Sequence, residues 1–477
     1  MINLSDYKKI YCIGIGGIGL SAIAEILMSR GYQVSGSDMR ESDITEKLMD
    51  NGATIHLGHR ARNVEDVDLV VYTVAVGMDN PELARAKELG IPTITRAEAL
   101  GALMEEYNHS IAISGTHGKT TTTSMVSLIL KHAQKEPTIL VGGNLSEIGG
   151  NVYVGERDYF VTEACEYRDS FLELKPSIEI ILNIDADHLD YFKDVGHIAR
   201  SFNRFARLVP EDGVVLAYDA NPFVKSVIEG LPNAVTFGLN EGNDYYASSI
   251  SFTDEGMPKF DVNHGGERLC TVEMSVPGEH NILNALAAFA CCHILGVDVD
   301  VITDTLQKFT GTHRRFDYLG ITSKGNKIYD DYAHHPTEIK ATLSAVKNMK
   351  HNKLWVLFQP HTYTRTVALM DDFAEAFVDA DKVVLAEIYA AREKNIHKIS
   401  SRMLAGKIKE HDINKEVYFF ETFEEIADFV YKNAAPGDLI LTMGAGDIYK
   451  VGEMLLEKEL PEVNVSKPPR EYKKIDD

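Results

Sequence analysis

The stretch SGTHGKTTTT, residues 114–123, holds the residue types that bind and transfer phosphate groups. Gly115 and Gly118 let backbone N–H groups approach phosphate oxygens, and the helix that follows directs its positive end at them. Lys119 is long enough to reach the β- and γ-phosphates, and the Thr120 hydroxyl is a ligand for Mg²⁺. Only two residues separate these glycines, where the usual triphosphate loop has four. The stretch still predicts a loop that binds a nucleoside triphosphate.

A second glycine loop, GIGGIG at residues 14–19, follows an apolar strand and precedes a helix. Gly14, Gly16 and Gly19 fit the dinucleotide fingerprint, and Asp38 ends the next strand. Nothing in this geometry requires nicotinamide, because any nucleoside diphosphate fits a glycine loop beside a helix N-terminus. The loop alone favours a dinucleotide, while another nucleotide and a plain glycine turn stay open. A chain with both loops is expected to hold one diphosphate and to react a triphosphate.

Acidic and histidine side chains stand directly after other predicted strands. Glu163 ends the strand of YFVTEACE, and Asp187, His188 and Asp190 follow the strand of IEIILNIDADHLDYF. The carboxyl ends of parallel strands are where α/β proteins place their sites, and Mg²⁺ prefers oxygen ligands. Each residue also has a plain interpretation: a helix N-terminal charge for Glu163, a cap or core position for His188, and solvated caps for the two aspartates.

The elements that must position these residues alternate strand and helix. The first hundred residues include the helix GIGLSAIAEILMSRG, which Gly31 closes. A second unit opens with the strand SIAISG, and a strand-rich stretch at 213–277 precedes the Ala-rich helix GEHNILNALAAFACCHILG. A third unit follows GTHRRFDYLG and ends in a polar tail, VNVSKPPREYKKIDD, that is expected to fray. This alternation predicts parallel sheets in several α/β units.

Bulk composition limits the classes of partner. The 477 residues exceed one ordinary core and predict two to four domains. The net charge of −23 repels phosphate backbones and anionic lipid, so neither nucleic acid nor a membrane is an expected partner. The five cysteines lack paired spacing and predict reduced thiols instead of disulfides or a zinc site. Without a signal peptide or a membrane-length apolar run, a cytoplasmic protein is expected.

Eight motifs occur in the order found in one enzyme family: GTHGKTTTT, TEACEYRDSF, NIDADHLDYF, PGEHNILNALAA, FTGTHRRFDYLG, DDYAHHPTEI, FQPHTYTRT and LTMGAGDI. On these motifs the chain resembles the Mur ligases over essentially its whole length except the tail. The double histidine of AHHP and the segment QPHTYTR resemble the branch that adds L-alanine to UDP-N-acetylmuramate. Eight ordered motifs are far more specific than either glycine loop alone.

The resemblance implies an α/β fold of three domains. These are an N-terminal Rossmann-like UDP-sugar-binding domain (1–107), a central P-loop ATPase-type domain (108–312) with a parallel sheet plus a smaller β region, and a C-terminal Rossmann-like amino-acid-binding domain (313–477). It reverses the preference for a dinucleotide, since the first loop should hold a UDP pyrophosphate. The second loop should bind the ATP that reacts.

The activity that the resemblance implies is ATP-dependent joining of L-alanine to the lactyl carboxylate of UDP-N-acetylmuramate through an acyl phosphate, in peptidoglycan precursor synthesis. It implies Mg²⁺, with two ions expected, and a monomer or homodimer in the cytoplasm. Three rivals stay open: a sister ligase that adds a recycled peptide to the same UDP-sugar, an NAD-dependent dehydrogenase with an accessory ATPase, and a non-catalytic UDP-sugar binder.

Site roles of the family transfer onto matching positions of this chain. The implied catalytic residues are Lys119, Glu163 and His188. The implied metal ligands are Thr120, Glu163 and His188. The implied ATP-binding residues are Gly115, Thr116, His117, Gly118, Lys119, Thr120, Thr121, His280, Asn281, Asn284, Arg314, Arg315 and Asp331, with one of the two arginines flanking the nucleotide. The implied UDP-sugar-binding residues are Gly14, Gly16, Gly17, Ile18, Gly19, Ser37, Asp38 and Thr73. The implied amino-acid-binding residues are His334, His335, His361, Arg365 and Ala445.

Two departures from the family pattern bear on these roles. Many relatives have arginine where this chain has Thr362, so Arg365 is expected to hold the alanine carboxylate with less help. Other Mur ligases carry a carbamylated lysine after the DHxD motif, and no lysine stands at that spacing here, which leaves the second metal's ligands open. Either His334 or His188 is a candidate for the base that deprotonates the amine.

Overall fold

The computed structural model describes residues 2–73, 75–189, 191–347 and 349–458. Asp190 and the tail that was predicted to fray lie outside these residues. Three sheets follow one another along the chain, each with helices between its parallel strands, which confirms the predicted α/β class. Among the described residues, no helix combines the length and the apolar character that crossing a bilayer requires.

The first unit is a five-stranded sheet in which every pairing is parallel. Its elements in chain order are β1 (Lys9–Ile13), α1 (Ile18–Ser29), β2 (Gln33–Asp38), α2 (Asp43–Asp50), β3 (Thr54–Leu57), β4 (Leu69–Tyr72), α3 (Pro81–Leu89), β5 (Thr93–Thr95) and α4 (Arg96–Met104). The strand order is β3-β2-β1-β4-β5, so the glycine loop after β1 lies where the order reverses. Ligands of open α/β sheets bind at such a position.

Local sequence signals set the helix ends in this unit. The Asn80 side chain accepts hydrogen bonds from the backbone N–H groups of Glu82 and Leu83, and Pro81 fills the first helical position of α3. Gly90 ends α3 with a φ of 71°, which glycine adopts without steric cost. The predicted helix before Gly31 is also confirmed, since α1 covers that segment.

The second unit is a ten-stranded sheet with helices α5–α9. Its elements are β6 (His109–Ser114), α5 (Lys119–His132), β7 (Thr138–Leu145), β8 (Gly150–Tyr153), β9 (Tyr159–Glu163), β10 (Ile178–Ile181), α6 (Val195–Ala206), β11 (Val214–Tyr218), α7 (Pro222–Ile228), β12 (Ala234–Gly238), β13 (Tyr245–Phe252), β14 (Pro258–His264), β15 (Glu267–Glu273), α8 (Glu279–Ile294) and α9 (Val299–Lys308). The strand order is β15-β14-β13-β12-β11-β10-β6-β9-β7-β8.

The strand-rich stretch at 213–277 continues this same sheet. β13 pairs in parallel with β12, and β14 and β15 then add antiparallel strands at that end. The triphosphate loop follows β6, between the neighbouring strands β10 and β9. The buried helix α8 packs against α5, and its fully buried alanines allow the close approach.

The third unit is a six-stranded sheet with the order β16-β17-β21-β18-β19-β20. Its elements are β16 (Asp317–Ile321), β17 (Lys327–Asp331), α10 (Pro336–Lys347), β18 (Leu354–Phe358), α11 (Tyr363–Ala368), α12 (Met370–Ala376), β19 (Lys382–Leu385), α13 (Ser401–His411), β20 (Glu416–Phe419), α14 (Phe423–Asn433), β21 (Leu439–Met443) and α15 (Tyr449–Glu457). All pairings except β16 with β17 are parallel.

The two junctions between units differ in chemistry. One buried apolar cluster runs from the first unit into the second without a break, from Leu4 through Met104 to Val227. The apolar clusters of the third unit are formed by its own residues, and side-chain hydrogen bonds and ion pairs join it to the second unit. The polar junction is where most of the predicted site residues lie.

Candidate functional site

The triphosphate loop has the backbone that its glycines predict. Gly115 has a φ of 135° and Gly118 a φ of 87°, values at which a side chain is strained. A Cβ added to Gly118 would lie 2.6 Å from Asn284 Oδ1, so the loop and α8 require glycine here. Asn183, after β10, braces the loop: its Oδ1 accepts from the His117 N–H at 2.8 Å and its Nδ2 donates to the His117 carbonyl at 2.9 Å.

Lys119 is paired inside the protein. Its Nζ lies 3.0 Å from Glu166 Oε2 and also donates to the carbonyls of Gly115 and Thr116. Burial opposes protonation, but Glu166 outweighs it and raises the pKa of Lys119 above its ordinary value. The Glu166 side chain is only 3% exposed. Lys119 therefore holds a buried carboxylate in addition to facing the phosphate loop.

A cavity of about 480 Å³ opens beside this loop, between the second and third units. Eight of the predicted ATP-binding residues line it, namely His117, Gly118, Thr121, His280, Asn281, Asn284, Arg315 and Asp331. Gly115, Thr116, Lys119 and Thr120 stay in the loop beside it. The far wall is apolar and aromatic, and is formed by Tyr218, Phe223, Phe237, Val276 and Phe309. The flat base of a nucleotide can pack against that wall while the loop binds its phosphates.

Asn281 and Asn284 join α8 to the loop through a buried amide network. Asn284 Nδ2 donates to Asn281 Oδ1 at 3.0 Å, and Asn281 Nδ2 donates to the Pro277 carbonyl at 2.7 Å. The Thr122 hydroxyl donates to Asn284 Oδ1. His280 lines the same cavity, and burial lowers its pKa to about 4, which keeps the imidazole neutral. The two asparagines thus line the cavity and also stabilise the start of α8.

The two adjacent arginines have different environments. Arg315 lines the cavity, whereas Arg314 pairs with Asp330 at 2.9 Å and donates to the Gly444 carbonyl at 2.6 Å. Arg314 is not among the residues that line the cavity, and its side chain is engaged within the third unit, so its predicted role in ATP binding stays a prediction. Burial raises the pKa of Asp331 to about 7, and its carboxylate accepts from the N–H groups of Phe316 and Ala333.

Two of the three predicted metal ligands flank one glycine pair on β7. Glu163 Oε1 accepts from the Gly142 N–H at 2.6 Å, and a Cβ added to Gly142 would overlap that carboxylate. A Cβ added to Gly143 would lie 3.2 Å from the Thr120 side chain. Gly143 faces the Thr120 methyl group, so only the Glu163 carboxylate is shown beside this glycine pair. Carboxylate and hydroxyl oxygens are ligands that Mg²⁺ prefers. His188 lies apart, with its ring against Tyr167.

The first glycine loop lines another cavity, of about 350 Å³. Five predicted UDP-sugar-binding residues line it, namely Gly14, Gly17, Ile18, Gly19 and Thr73. The other wall comes from the second unit and includes Gly142, Glu163, Cys165 and Ser170. The cavity therefore extends from the first glycine loop to Glu163, the predicted metal ligand at the end of β9.

Three of the residues predicted to bind the UDP-sugar make contacts that stabilise the first glycine loop. The Gly16 N–H donates to Asp38 Oδ2 at 2.9 Å, so that carboxylate holds the loop. The Ser37 hydroxyl is fully buried and donates to Glu82 at 2.6 Å, away from the cavity. Its carbonyl accepts from the N–H groups of Gly14 and Ile15. Gly16, Ser37 and Asp38 are not among the residues that line the cavity and help to fix the loop, so their predicted contact with the UDP-sugar stays a prediction.

A cavity of about 540 Å³ contains part of the predicted amino-acid site. His361, Arg365 and His188 line it, together with Thr362 and Asp187. The Arg365 guanidinium already pairs with Asp187, with Nη2 3.0 Å from Oδ1, and a further nitrogen contacts His361 at 3.2 Å. The Arg365 charge outweighs burial and holds the pKa of Asp187 well below its usual range. An incoming carboxylate must share this guanidinium.

The remaining predicted amino-acid-binding residues, His334, His335 and Ala445, are not among the residues that line this cavity. Burial lowers the pKa of both His334 and His361 to about 4, and their rings meet at 5.6 Å. His335 is nearly buried, with its Nε2 3.0 Å from the Ala186 carbonyl, so it bridges two units. Ala445 is half-buried directly after β21. The imidazoles of His334 and His361 are therefore neutral near pH 7, but a pKa this low makes each a weak base until its surroundings change on ligand binding.

A charge cluster joins the phosphate loop to the third unit. His117 lies 3.1 Å from Glu338 and 3.4 Å from Asp185, and the Thr337 hydroxyl donates to Asp185 at 2.6 Å. Burial opposes protonation, but hydrogen bonds to Asp185 and Glu338 raise the pKa of His117 to about 9. His117, Asp185 and His335 are close enough for a metal ion, yet a protonated imidazole has no lone pair to offer one.

Several functional neighbours were missed from the sequence. Glu166 and Asn183 stand within quoted motifs, and their strand-end positions were the available signal. Glu338 lies in the first turn of α10 in HPTEI, where an acidic residue is common at any helix start. Arg96 gave no signal, because a lone arginine in TRAEAL resembles any helical surface residue.

Comparison with known proteins gives the family. Three consecutive family descriptions match: the Mur ligase catalytic domain at residues 9–108, the middle domain at 113–292 and the glutamate ligase domain at 314–446. A curated UDP-N-acetylmuramate–L-alanine ligase from Acetivibrio thermocellus is 51% identical over 96% of this chain and 97% of its own length.

Solved structures agree over nearly the whole molecule. The UDP-N-acetylmuramate-alanine ligase of Thermotoga maritima is 33% identical and superposes with a TM-score of 0.78, covering 94% of this chain and 98% of that one. A murein peptide ligase of Psychrobacter arcticus is 25% identical with a TM-score of 0.68, over 94% of this chain and 98% of that one. With three domain descriptions in order and a relative that is half identical along its length, the chain belongs to the Mur ligase family.

Proposed function

We propose that this protein is an ATP-dependent ligase that joins L-alanine to the lactyl carboxylate of UDP-N-acetylmuramate, with release of ADP and phosphate. The observation that carries the proposal is the cavity shared by the first glycine loop and Glu163. A UDP-sugar whose pyrophosphate lies on that loop can direct its acyl end toward the triphosphate loop. The similarity to curated L-alanine ligases supports alanine as the amino acid.

The first chemical step activates a poor acylating agent. The lactyl carboxylate attacks the γ-phosphorus of ATP in line, which forms an acyl phosphate and releases ADP. Two anions must approach each other in this step. Lys119, at the start of α5, offsets that repulsion once it exchanges Glu166 for the phosphate oxygens.

The second step forms the amide. The alanine amine attacks the acyl carbon, and phosphate leaves from the tetrahedral intermediate. The amine must be neutral, and His334 and His188 are the candidates for the base that removes its proton. His188 lines the amino-acid cavity, and His334 contacts the ring of His361, which also lines it. Arg365 would pair with the alanine carboxylate, and closure of the polar junction would exclude the water that hydrolyses acyl phosphates.

The metal in this proposal is Mg²⁺. Thr120 and Glu163 would hold one ion, and His188 is the proposed ligand of a second. Bound Mg²⁺ neutralises charge on the transferring phosphate. We also propose the domain limits 1–107, 108–312 and 313–477, a cytoplasmic location and a monomer or homodimer.

Phosphate release tests the function directly. Purified protein receives ATP, Mg²⁺ and UDP-N-acetylmuramate, and each amino acid is then added in turn. L-Alanine is expected to give the fastest release and a product of the corresponding mass. The murein peptide ligase likeness motivates one further arm, in which the tripeptide L-alanyl-γ-D-glutamyl-meso-diaminopimelate replaces alanine. Faster turnover with the tripeptide would overturn the assignment to alanine.

A further inference from the structure

We propose that Arg96 binds the pyrophosphate of the UDP-sugar and is the cation that the first glycine loop lacks. The inference rests on the proposed function, since it concerns the UDP-sugar cavity. The first loop contains only glycine and isoleucine, so it offers backbone N–H groups and no charge. A dianionic pyrophosphate in a protein of net charge −23 needs a local positive group.

Among the described residues that line this cavity, Arg96 is the only lysine, arginine or histidine. It is the first residue of α4, on the wall that faces the glycine loop. A capping box between Thr95 and Glu98 fixes the start of that helix, with two hydrogen bonds of 2.6 and 3.2 Å. The backbone that carries Arg96 is therefore rigid and does not depend on the arginine side chain.

The guanidinium lies against the first turn of α1. A Cβ added to Gly19 would lie 3.1 Å from Arg96 Nη1 and 3.2 Å from its Cδ, so the absence of a side chain at Gly19 makes room for the arginine. Gly17 caps α1 without any side-chain hydrogen bond. The positive N-terminal end of α1 and the Arg96 guanidinium thus lie side by side, where a diphosphate bound to this loop would lie.

Arg96 has no acidic partner among residues 2–73, 75–189, 191–347 and 349–458 within ion-pair distance. Two other arginines of the first unit are engaged, since Arg85 pairs with Glu65 and Glu88, and Arg30 donates to Tyr107. A half-buried, unpaired guanidinium in a cavity retains its five donors for a ligand. Arginine is well suited to phosphate because its planar fork binds two oxygens at once.

The pyrophosphate is favoured over the lactyl carboxylate by position. Arg96 contacts the glycine-loop end of the cavity, whereas Glu163, near which the carboxylate must react, forms part of the wall supplied by the second unit. A guanidinium bound to the lactyl carboxylate would also withdraw charge from the oxygen that attacks ATP. The two sources of negative charge can be separated by ligand choice, since UDP-N-acetylglucosamine has the pyrophosphate but no lactyl group.

Calorimetric titration of wild type, Arg96→Gln and Arg96→Lys with both UDP-sugars tests the proposal. Arg96→Gln is expected to weaken both sugars equally, by roughly 10- to 100-fold, the range that hydrogen bonds to a charged group contribute. Arg96→Lys keeps the charge but loses the two-pronged hydrogen bonding of arginine, so its affinity for both sugars is expected to lie between those of wild type and Arg96→Gln. ATP affinity and melting temperature should match wild type. Loss confined to UDP-N-acetylmuramate would overturn the pyrophosphate assignment, as would unchanged affinity for both.

Arg85→Gln is the matched control, because it removes the same charge from the same unit at an ion-paired surface position outside the cavity. Its UDP-sugar affinity should equal that of wild type, and a loss as large as that of Arg96→Gln would overturn the proposal by showing a general charge effect. Failure of the proposed function is separate: wild type that binds UDP-sugar without alanine-dependent phosphate release refutes the ligase activity and leaves the Arg96 titration interpretable.

Discussion

The two glycine loops of this chain have similar sequences but different supports. The first is held by backbone and one carboxylate of the neighbouring strand, through the Ser37 carbonyl and Asp38. The second is surrounded by charged side chains from two units, including Glu166, Asp185 and Glu338. A loop that only binds a diphosphate needs rigidity and space. A loop beside which phosphate is transferred also needs charges that can be exchanged during the reaction.

Removal of Lys119 should have the largest effect on this comparison. Lys119→Met is expected to lower phosphate release by roughly 1,000-fold or more, because the charge on the transferring phosphate loses its protein cation. The structure adds a second cost, since Glu166 is then left buried without its partner. Steady-state phosphate release and thermal melting measure the two effects separately.

The double variant Lys119→Met with Glu166→Gln separates chemistry from folding. It should recover the melting temperature of wild type while phosphate release stays lost. Turnover near that of wild type in either folded variant would remove the triphosphate loop from the mechanism.

Substitution of Arg365 tests the predicted amino-acid cavity. Arg365→Ala is expected to cost about 2–5 kcal/mol, mainly in the KM for alanine, because a desolvated carboxylate loses its partner. Asp187 also loses its ion-pair partner in this variant. Asp187→Asn is therefore combined with Arg365→Ala, so that the remaining change in alanine KM reports the contact with alanine alone. Kinetics with alanine varied at saturating ATP and UDP-sugar give the values.

Thr362→Arg in the Arg365→Ala background should restore part of the lost alanine affinity. Position 362 borders the same cavity, and an arginine there could reach the same carboxylate. Arg402→Ala, at a residue stacked on Phe419, serves as control and should leave alanine KM unchanged. An unchanged alanine KM in Arg365→Ala itself contradicts the carboxylate role.

The sequence was informative where function depends on neighbours along the chain. Both loops, and strand-end residues such as Glu163 and Asp331, were predictable because a strand, a loop and a helix fix them locally. Side-chain direction was not predictable. Arg315 lines the cavity while its neighbour Arg314 pairs with Asp330, and the Ser37 hydroxyl is held by a glutamate 45 residues away.

Long-range pairing hid other parts of the site. Lys119 looked like a residue with phosphate as its only partner, because nothing in the loop reveals Glu166 behind it. Arg96 is made significant only by Gly19, which is far away in sequence. The same limit applies to the ten-stranded sheet, since a strand pattern does not say whether a hairpin extends an existing sheet or forms a new one.

Gly16→Val tests the first loop alone. A Cβ at Gly16 would lie 2.9 Å from Asp38 Oδ2 and 3.1 Å from Thr45, so valine must displace the loop from its support. UDP-sugar affinity is expected to fall by roughly 10- to 100-fold, as for other overpacked sites, with ATP affinity unchanged. Gly406→Val is the control, because a Cβ there meets no atom within 4 Å. If ATP affinity fell and UDP-sugar affinity held, the two loops would have exchanged roles.

The smallest expected effect is a pH dependence that only the second loop should show. The folded pKa of His117 is raised from 6.5 to about 9, so its contribution is fully present below pH 6.5 and is lost as pH rises through about 9. Glu338→Gln removes one of its two carboxylate partners and should cost about 1–2 kcal/mol near pH 6.5. Thermal melting of both proteins from pH 6 to 10 should show the difference shrinking as pH rises.

Glu375→Gln, in an exposed pair with Lys340, should show little difference at any pH. A Glu338→Gln deficit that stayed constant to pH 10 would mean that the carboxylate acts through its backbone hydrogen bonds to residues 334 and 335, and that the second loop is not held by charge.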